Sequence, residues 1–432
     1  MKKDKFLYDK IYEYYKELIR SGKLEEGTKL PSIRQCAELQ AVSKTTVEQA
    51  YINLCDDGYL IPKSQSGYYV SYMGRLREER KSVKNNKSLK YSSDYASTGV
   101  DTSVFDLSLW TKYVKNALRQ DYRLRDYGLP QGESDLREQI AKYVTKTRNC
   151  VCDESNIVIG AGVQSLLNIL CALLDGKSKN VYFNDISYKQ GIAVFKDRDY
   201  RISNNFENAD ILYISPSRAT KWGDIMPVEE RHSLVKYAHE NSKMIIEDDY
   251  DSEFRDLNRP TPSLQGLDSE NVVYVGTFSK LLLPSLRISY MILPTELTRR
   301  YNEIGALYNQ TVSIPDQIAL KNYICDGRLS SQIKKARKLY TQKSKILTDA
   351  LLNELGKKAV IEKTATPLYV RCKIKTSISL NELTQHLENC KEPVRIIPVS
   401  EGKGEIVIAF SVSAVKTDNI EPDISNIARF LL

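Results

Sequence analysis

Ile245-Ile246-Glu247-Asp248-Asp249-Tyr250-Asp251-Ser252-Glu253-Phe254-Arg255 passes from an apolar run directly into a dense group of carboxylates. Met244–Ile246 predicts a buried strand, so the acids fall where that strand ends. Val272-Val273-Tyr274-Val275 predicts another strand, running into Gly276-Thr277-Phe278-Ser279-Lys280 and then Leu286-Arg287-Ile288-Ser289-Tyr290. Upstream, Ile157-Val158-Ile159 leads into Gly160-Ala161-Gly162 and a helix expected over 164–174, and 181–183 and 211–214 read as further strands. From about Tyr95 onward, apolar runs alternate with helical stretches, which predicts a multidomain α/β protein whose large domain binds its ligand at strand ends.

At 432 residues the chain is long enough for two or three domains. Its 41% hydrophobic and 27% charged residues are those of an ordinary globular protein. No apolar run approaches the roughly 20 residues of a membrane span, and Met1-Lys2-Lys3-Asp4-Lys5 lacks the apolar region of a signal peptide. Eight cysteines without paired spacing and only three histidines argue against a disulfide framework or a metal site, and the expected location is cytoplasmic. Residues 1–90 hold 18 Lys/Arg against 12 Asp/Glu, a surplus of six in a chain whose net charge is +8. A basic end on a near-neutral body suggests a nucleic-acid-binding domain.

Within that end, Leu7, Ile11, Tyr14, Tyr15, Leu18 and Ile19 recur at helical spacing, and Ser21-Gly22 closes the helix. A second helix is expected to open at Pro31-Ser32. A third runs from Lys44 to about Asp57, with Ser43 as N-cap and Gly58 as terminator. Two short strands follow, Tyr59–Pro62 and Gly67–Ser71. This order predicts a winged helix-turn-helix over 1–72. Leu30-Pro31-Ser32-Ile33-Arg34, Val42-Ser43-Lys44-Thr45-Thr46-Val47 and the wing Gly67-Tyr68-Tyr69-Val70 resemble the GntR-type winged helix. That resemblance implies a double-stranded DNA operator contacted by Arg34, Ser43, Lys44, Thr45, Thr46 and Gln49, with the wing near Gly67 on the backbone. Residues 73–92, rich in Lys, Arg, Asn and Ser, read as a basic flexible linker, leaving 93–432 as the effector domain with a smaller subdomain from about 316.

The phrases around Asp248, Lys280 and Arg287, joined to such a winged helix, resemble the MocR/GabR family of regulators, with PdxR-like members as a variant. In that family a GntR-type winged helix is fused to a fold-type-I aminotransferase-like domain that binds pyridoxal 5'-phosphate (PLP). The resemblance implies that Lys280 holds PLP as an imine and that Asp248 pairs with its ring nitrogen. It also implies that Tyr250 meets the phenolic oxygen and that Tyr188 stacks on the ring. Thr277, Ser279, Arg287, Gly162, Val163 and Gln164 would hold the phosphate. Tyr127 would reach the phosphate from the partner subunit of a homodimer with exchanged contacts. Asp249 reads as a fold residue.

The chain departs from that family where a ligand carboxylate would sit. Gln190 stands where an arginine is expected, and the late strand Glu405-Ile406-Val407-Ile408-Ala409-Phe410 carries none. Ile186-Ser187 replaces Pro-Gly, Arg218 stands in place of a histidine and Lys221 in place of a proline; Arg218, Arg371 and Arg395 are the candidates to compensate. The expected function is therefore PLP-dependent transcriptional regulation, with PLP or its adduct with an amino compound as effector. The preferred variant is a PLP sensor controlling vitamin B6 metabolism. The alternative is a working aminotransferase with an appended DNA-binding module.

Overall fold

A computed structural model describes residues 7–71, 91–97, 99–174, 180–185, 188–220, 224–255, 262–362 and 364–432. The expected linker lies almost wholly outside these residues, as do Ile186-Ser187 and Lys221-Trp222-Gly223. The chain divides into two compact units, Met1–Leu89 and Lys90–Leu432.

The first unit contains helices α1 (Leu7–Arg20), α2 (Ile33–Leu39) and α3 (Lys44–Asp56), and strands β1 (Leu60–Lys63) and β2 (Gly67–Val70), paired antiparallel. Ile11, Tyr15 and Ile19 of α1 pack on Val47, Ala50, Tyr51 and Leu54 of α3 around a small core. α2 starts two residues later than Pro31. The Ser32 side chain accepts the Gln35 N–H while the Gln35 side chain reaches back to the Ser32 backbone, so Ser32 is the cap and Pro31 precedes it. β1 also begins a residue later than expected, because Gly58 takes φ +78° and Tyr59 N–H returns to the Leu54 carbonyl, which keeps Tyr59 in the turn.

The second unit begins with a short strand, β3 (Ser93–Asp94). Seven strands then form the main sheet: β4 (Ile157–Gly160), β5 (Asn180–Phe183), β6 (Arg201–Ser203), β7 (Ile211–Ile214), β8 (Met244–Asp249), β9 (Val272–Thr277) and β10 (Ser289–Ile292). Their order is β4-β10-β9-β8-β7-β5-β6, parallel throughout except for β10, which runs antiparallel to both neighbours. β4, β7, β9 and β10 are buried at every position, as expected of a sheet covered on both faces. The helix Val163–Leu174 covers one face with Leu166, Leu167 and Leu170, packed against Val273 and Met291. Helices Leu107–Ala117, Ser134–Arg148 and Ile314–Cys325 contribute to a second core that contains Ile159, Tyr274 and Tyr290.

The C-terminal part follows the long helix Arg328–Leu355. It is a four-stranded antiparallel sheet in the order β11 (Ala359–Glu362), β12 (Tyr369–Lys375), β15 and β14. Here β13 is Val394–Arg395, β14 is Ile397–Gly402 and β15 is Glu405–Ser411. The first residues of the unit are tied to this part. β3 pairs with β13, and the Tyr95 hydroxyl donates to Asp423 at 2.9 Å.

Candidate functional site

The parallel strands deliver one residue after another to the same edge of the main sheet. β5 ends at Asn184 and Asp185, β7 at Ser215, β8 at Asp248 and Tyr250, β9 at Thr277 and Ser279, and β10 starts there at Ser289. These residues, with Gly99, Val163, Gln164, Tyr188, Gln190, Tyr213, Arg218, Pro284 and Arg287, line a cavity of about 620 Å³. Ligands of open α/β sheets bind at this edge because the strand-to-helix loops diverge from it.

Alternation along β8 sorts its carboxylates. Asp248 faces the cavity; Glu247 and Asp249 face the other way. Asp249 accepts Arg148 Nε at 2.6 Å, Tyr274 Oη at 2.6 Å and Ser252 Oγ at 2.8 Å, all buried. Burial acts to raise its pKa, but the guanidinium groups of Arg148 and Arg255 prevail and hold it at about 2. Asp249 is thus an ionised anchor of the fold. Burial pushes Asp248 up to about 6, against the hydroxyl of Tyr213, which donates to Oδ2 at 2.8 Å. Oδ1 of Asp248 is buried without a hydrogen-bond partner among the described residues. An unmet buried carboxylate oxygen is costly, and a protonated ring nitrogen is the kind of donor that would satisfy it.

Lys280 is 3% exposed. Its Nζ donates to the Gly99 carbonyl at 3.0 Å and the Ser413 hydroxyl at 3.3 Å, and lies 5.8 Å from the centre of the Tyr250 ring. Burial lowers its pKa to about 7; Asp251 opposes this and Arg218 reinforces it. A lysine in that range offers a neutral, nucleophilic amine near neutral pH.

Gly162 takes φ +91° and lies so close to Arg287, a lining residue of the cavity, that a Cβ there would sit 2.1 Å from the guanidinium. Arg287 itself has φ +52°, a strained conformation for a residue with a side chain, of a kind that persists where surrounding packing enforces it. Ser279 N–H donates to Thr277 Oγ1 at 3.2 Å, which also accepts Ser289 Oγ at 2.9 Å. Thr277, Ser279 and Arg287 therefore converge with Val163 and Gln164 at the start of the helix Val163–Leu174, where free N–H groups favour an anion. A polar cradle, a buried amine and an unmet carboxylate oxygen fit PLP in each of its parts.

Tyr188 lines the cavity with its ring 5.7 Å from that of Tyr213. Gly191 makes room for it: a Cβ at that position would fall 2.2 Å from the Tyr188 ring. Tyr127 is 97% exposed and is not among the cavity's lining residues. Of the three arginines considered as compensating, Arg218 lines the cavity. Arg371 is taken up by Asp224 at 3.3 Å and by Glu362, and Arg395 lies 3.7 Å from Asp94.

Tyr213, Gly191, Ser289 and Arg231 were not singled out in the sequence. Arg231, fully buried, donates to the carbonyls of Met226 (3.0 Å), Pro262 (2.9 Å) and Pro216 (3.2 Å), and so holds the turn that carries Arg218. An arginine on an otherwise ordinary amphipathic helix carries no local signal of that role. Tyr213 had one: a tyrosine at the end of a predicted strand in the same α/β alternation.

In the first unit, Ser43 caps α3 by accepting the Thr46 N–H at 3.2 Å, and its hydroxyl also bonds those of Thr45 (2.8 Å) and Thr46 (2.7 Å). Ser43, Lys44, Thr45 and Gln49 are exposed along the start of α3, with Thr46 half-buried. Gln49 donates to Asn53 Oδ1 at 3.0 Å, and Arg34 pairs with Glu38 at 3.2 Å. Gly67 opens β2 with φ +108°. The arrangement presents a row of hydroxyl groups and the exposed Lys44 at a capped helix N-terminus, suited to phosphate and base edges.

Residues 7–70 match the gntR family of bacterial regulatory proteins, and residues 104–207 match the aminotransferase class I and II family. The chain is 36% identical over 415 residues to the HTH-type transcriptional regulator YdeL of Bacillus subtilis, covering 91% of this chain and 89% of that protein. It is 26% identical to the probable rhizopine catabolism regulatory protein MocR of Rhizobium meliloti, over 79% of this chain and 76% of that one. The identity is also 26% to the pyridoxine biosynthesis transcriptional regulator PdxR of Corynebacterium glutamicum, over 79% and 78%. In fold, an archaeal alanine:glyoxylate aminotransferase superposes with a TM-score of 0.68 at 20% identity, over 80% of this chain and 91% of that structure. Among the described residues, no helix is long and apolar enough to cross a membrane.

Proposed function

The chain belongs to the MocR/GabR family of HTH-type transcriptional regulators, and from that premise we propose that PLP held at Lys280, alone or joined to an amino compound, sets how the winged helix binds its operator. The observation that carries this reading is the buried Asp248 Oδ1, without a donor among the described residues, in a cavity whose Tyr250 ring also lies 5.8 Å from the buried amine of Lys280. PLP supplies an aldehyde that condenses with a primary amine and a pyridine ring that withdraws electrons from the carbon so joined. Lys280 provides the amine, and the low-dielectric surroundings keep part of it neutral. Asp248 holds a proton at the ring nitrogen, oriented by Tyr213. Tyr250 meets the phenolic oxygen, Tyr188 covers the ring, and Thr277, Ser279, Arg287 and the N–H groups around Gly162, Val163 and Gln164 grip the phosphate.

PLP itself is the preferred signal, with control of vitamin B6 metabolism as the output. Gln190 in the cavity wall and the absence of arginine from β15 support it, since a bidentate hold on a ligand carboxylate is missing from both places. The name of the PdxR relative points the same way. Arg34, Ser43, Lys44, Thr45, Thr46, Gln49 and the wing at Gly67 contact the operator. The protein acts as a dimer in which Tyr127, exposed here, completes the partner's phosphate site. A ligand shifts DNA binding only by favouring one arrangement of the heads over another.

The test uses the full-length protein. After incubation with PLP and reduction with borohydride, peptide mapping should find the pyridoxyl label on Lys280 and lose it in Lys280→Ala. Operator affinity is then titrated with PLP alone and with PLP plus amino acids. An affinity indifferent to PLP in both proteins removes the sensing proposal, and multiple turnovers of transamination at ordinary enzyme rates would favour an aminotransferase instead.

A further inference from the structure

Among the described residues two lysines are buried, Lys280 at 3% exposure and Lys343 at 0%. The first is the amine of the candidate site. The second lies midway along the long helix Arg328–Leu355 and is not a lining residue of the cavity. An ammonium so deeply buried is costly, and an apolar side chain of similar volume would fill the space without that cost. What distinguishes Lys343 is the set of atoms it joins.

Its Nζ donates to the carboxylate of Asp101, to the Val415 carbonyl and to the Val412 carbonyl, the last at 3.4 Å. Burial acts to raise the pKa of Asp101, but the hydrogen bonds from Lys343 and Ser103 prevail and hold it below its ordinary value. One turn earlier on the helix, the Tyr340 hydroxyl accepts the Asp101 N–H at 3.3 Å. The helix thus fastens two segments remote in sequence, one around Asp101 and one from Val412 to Val415.

Those two segments carry acceptors of Lys280. Its Nζ donates to the Gly99 carbonyl, two residues before Asp101, and to the Ser413 hydroxyl, next to Val412. The segments are also tied to each other. Ser411 Oγ donates to the Ser97 carbonyl at 3.0 Å, and the hydroxyls of Ser411 and Ser413 lie 2.9 Å apart, both buried. Each of the two acceptors therefore has a Lys343 contact within two residues of it.

We propose that Lys343 is a positioning residue for the Lys280 amine, fixing the Gly99 carbonyl and the Ser413 hydroxyl between which that amine is held. The proposal rests on Lys280 being the residue that receives PLP, and it names a second lysine on which that capture depends. Without the clamp, the carbonyls of Val412 and Val415 lose a donor and Asp101 loses its cation. The two segments can then part and admit water to the amine.

The test follows Lys280 in the PLP-free full-length protein, with trace acetic anhydride as the probe and peptide mapping to locate the label. The wild-type reactivity should rise with pH to a midpoint of about 7. In Lys343→Met the midpoint should move up by about one pH unit or more, because water favours the charged amine. The charges that act on Lys280 are those of Asp251 and Arg218, not Lys343 or Asp101, so the shift reports position rather than a lost charge. Adding Ser413→Ala to Lys343→Met should move the midpoint no further, since both act on the same contact. Urea unfolding of each variant scores the fold separately. A Lys343→Met protein that loses stability but keeps its midpoint, or shifts that add in the double variant, would overturn the proposal. Should Lys343→Met not fold, Asp101→Asn, whose side chain is 14% exposed, should move the midpoint in the same direction; an unmoved midpoint there overturns the proposal equally. Borohydride labelling with PLP on the wild type scores the PLP reading apart: no label on Lys280, with the acetylation shift intact, would sink that reading alone.

Discussion

Replacing Gly162 by alanine should disable the arginine side of the phosphate cradle without replacing any side chain that contacts PLP. The new Cβ would lie 2.1 Å from Arg287 Nη2 and 2.9 Å from its Cζ, far inside van der Waals contact. Either the guanidinium swings away or the loop shifts, and in both cases the fork loses its place. A charge-assisted pair of this kind is worth about 1.5–3 kcal/mol, so PLP affinity should fall about 10- to 150-fold. The alanine must also hold φ +91°, a strain of about 1–2 kcal/mol. That strain is present with and without PLP, so it lowers the melting temperature and cancels from the binding constant. Titration of the PLP-free protein, followed by quenching of its intrinsic fluorescence, measures the affinity. A double-mutant cycle completes the argument: because the glycine acts through the arginine, Gly162→Ala added to Arg287→Ala should cost almost no further affinity. Affinity within threefold of wild type in Gly162→Ala, or losses that add in the double variant, would refute the reasoning.

Lys280, pushed down to about 7 by burial, is protonated below that pH and neutral above it. Stopped-flow capture of PLP should therefore accelerate about tenfold per pH unit up to about pH 7 and then level off; a rate still climbing at pH 10 would mean an unperturbed lysine. Arg148→Met leaves Glu247 and Asp249 buried without their cation and should cost about 3–5 kcal/mol in urea unfolding of the full chain, whereas a loss under about 1 kcal/mol would show that Arg255 suffices. Lys44→Ala, exposed at the start of α3, should weaken operator binding and reduce the slope of log affinity against log salt by about one; an unchanged slope removes Lys44 from the phosphate contacts.

Much of the fold was legible because its signals are local. The apolar runs at 157–159, 181–183, 211–214, 244–246 and 272–275 each became a strand of the main sheet. Ser43 caps α3 and Gly58 terminates it, for reasons contained within a few residues. The shift of α2 from Pro31 to Ile33 has the same origin: Ser32 and Gln35 form a capping box, a stronger determinant than the proline's preference for a first turn. In the candidate site, Asp248, Tyr250, Thr277, Ser279 and Arg287, all within recognisable phrases, line the cavity, while Tyr213, Gly191 and Arg231 were not singled out. Their importance lies in what they touch, namely a carboxylate on the neighbouring strand, a ring three residues earlier, and three separate backbone carbonyls.

By itself, the sequence determined that a basic winged helix precedes an α/β unit, which follows from composition and periodicity, both properties of neighbouring residues. The family resemblance of its short phrases implied a PLP site at Asp248, Tyr250, Lys280 and Arg287. Only the tertiary structure decided how the acids after Ile246 divide their work. β8 is covered on both faces, so alternation sends Asp248 into the cavity and Asp249 to Arg148, 101 residues away in the chain. Only the tertiary structure could bring Arg218 near both Tyr250, just past β8, at 5.7 Å and Tyr369 of β12 at 5.8 Å. No local pattern encodes such a meeting, because it depends on two sheets packing together.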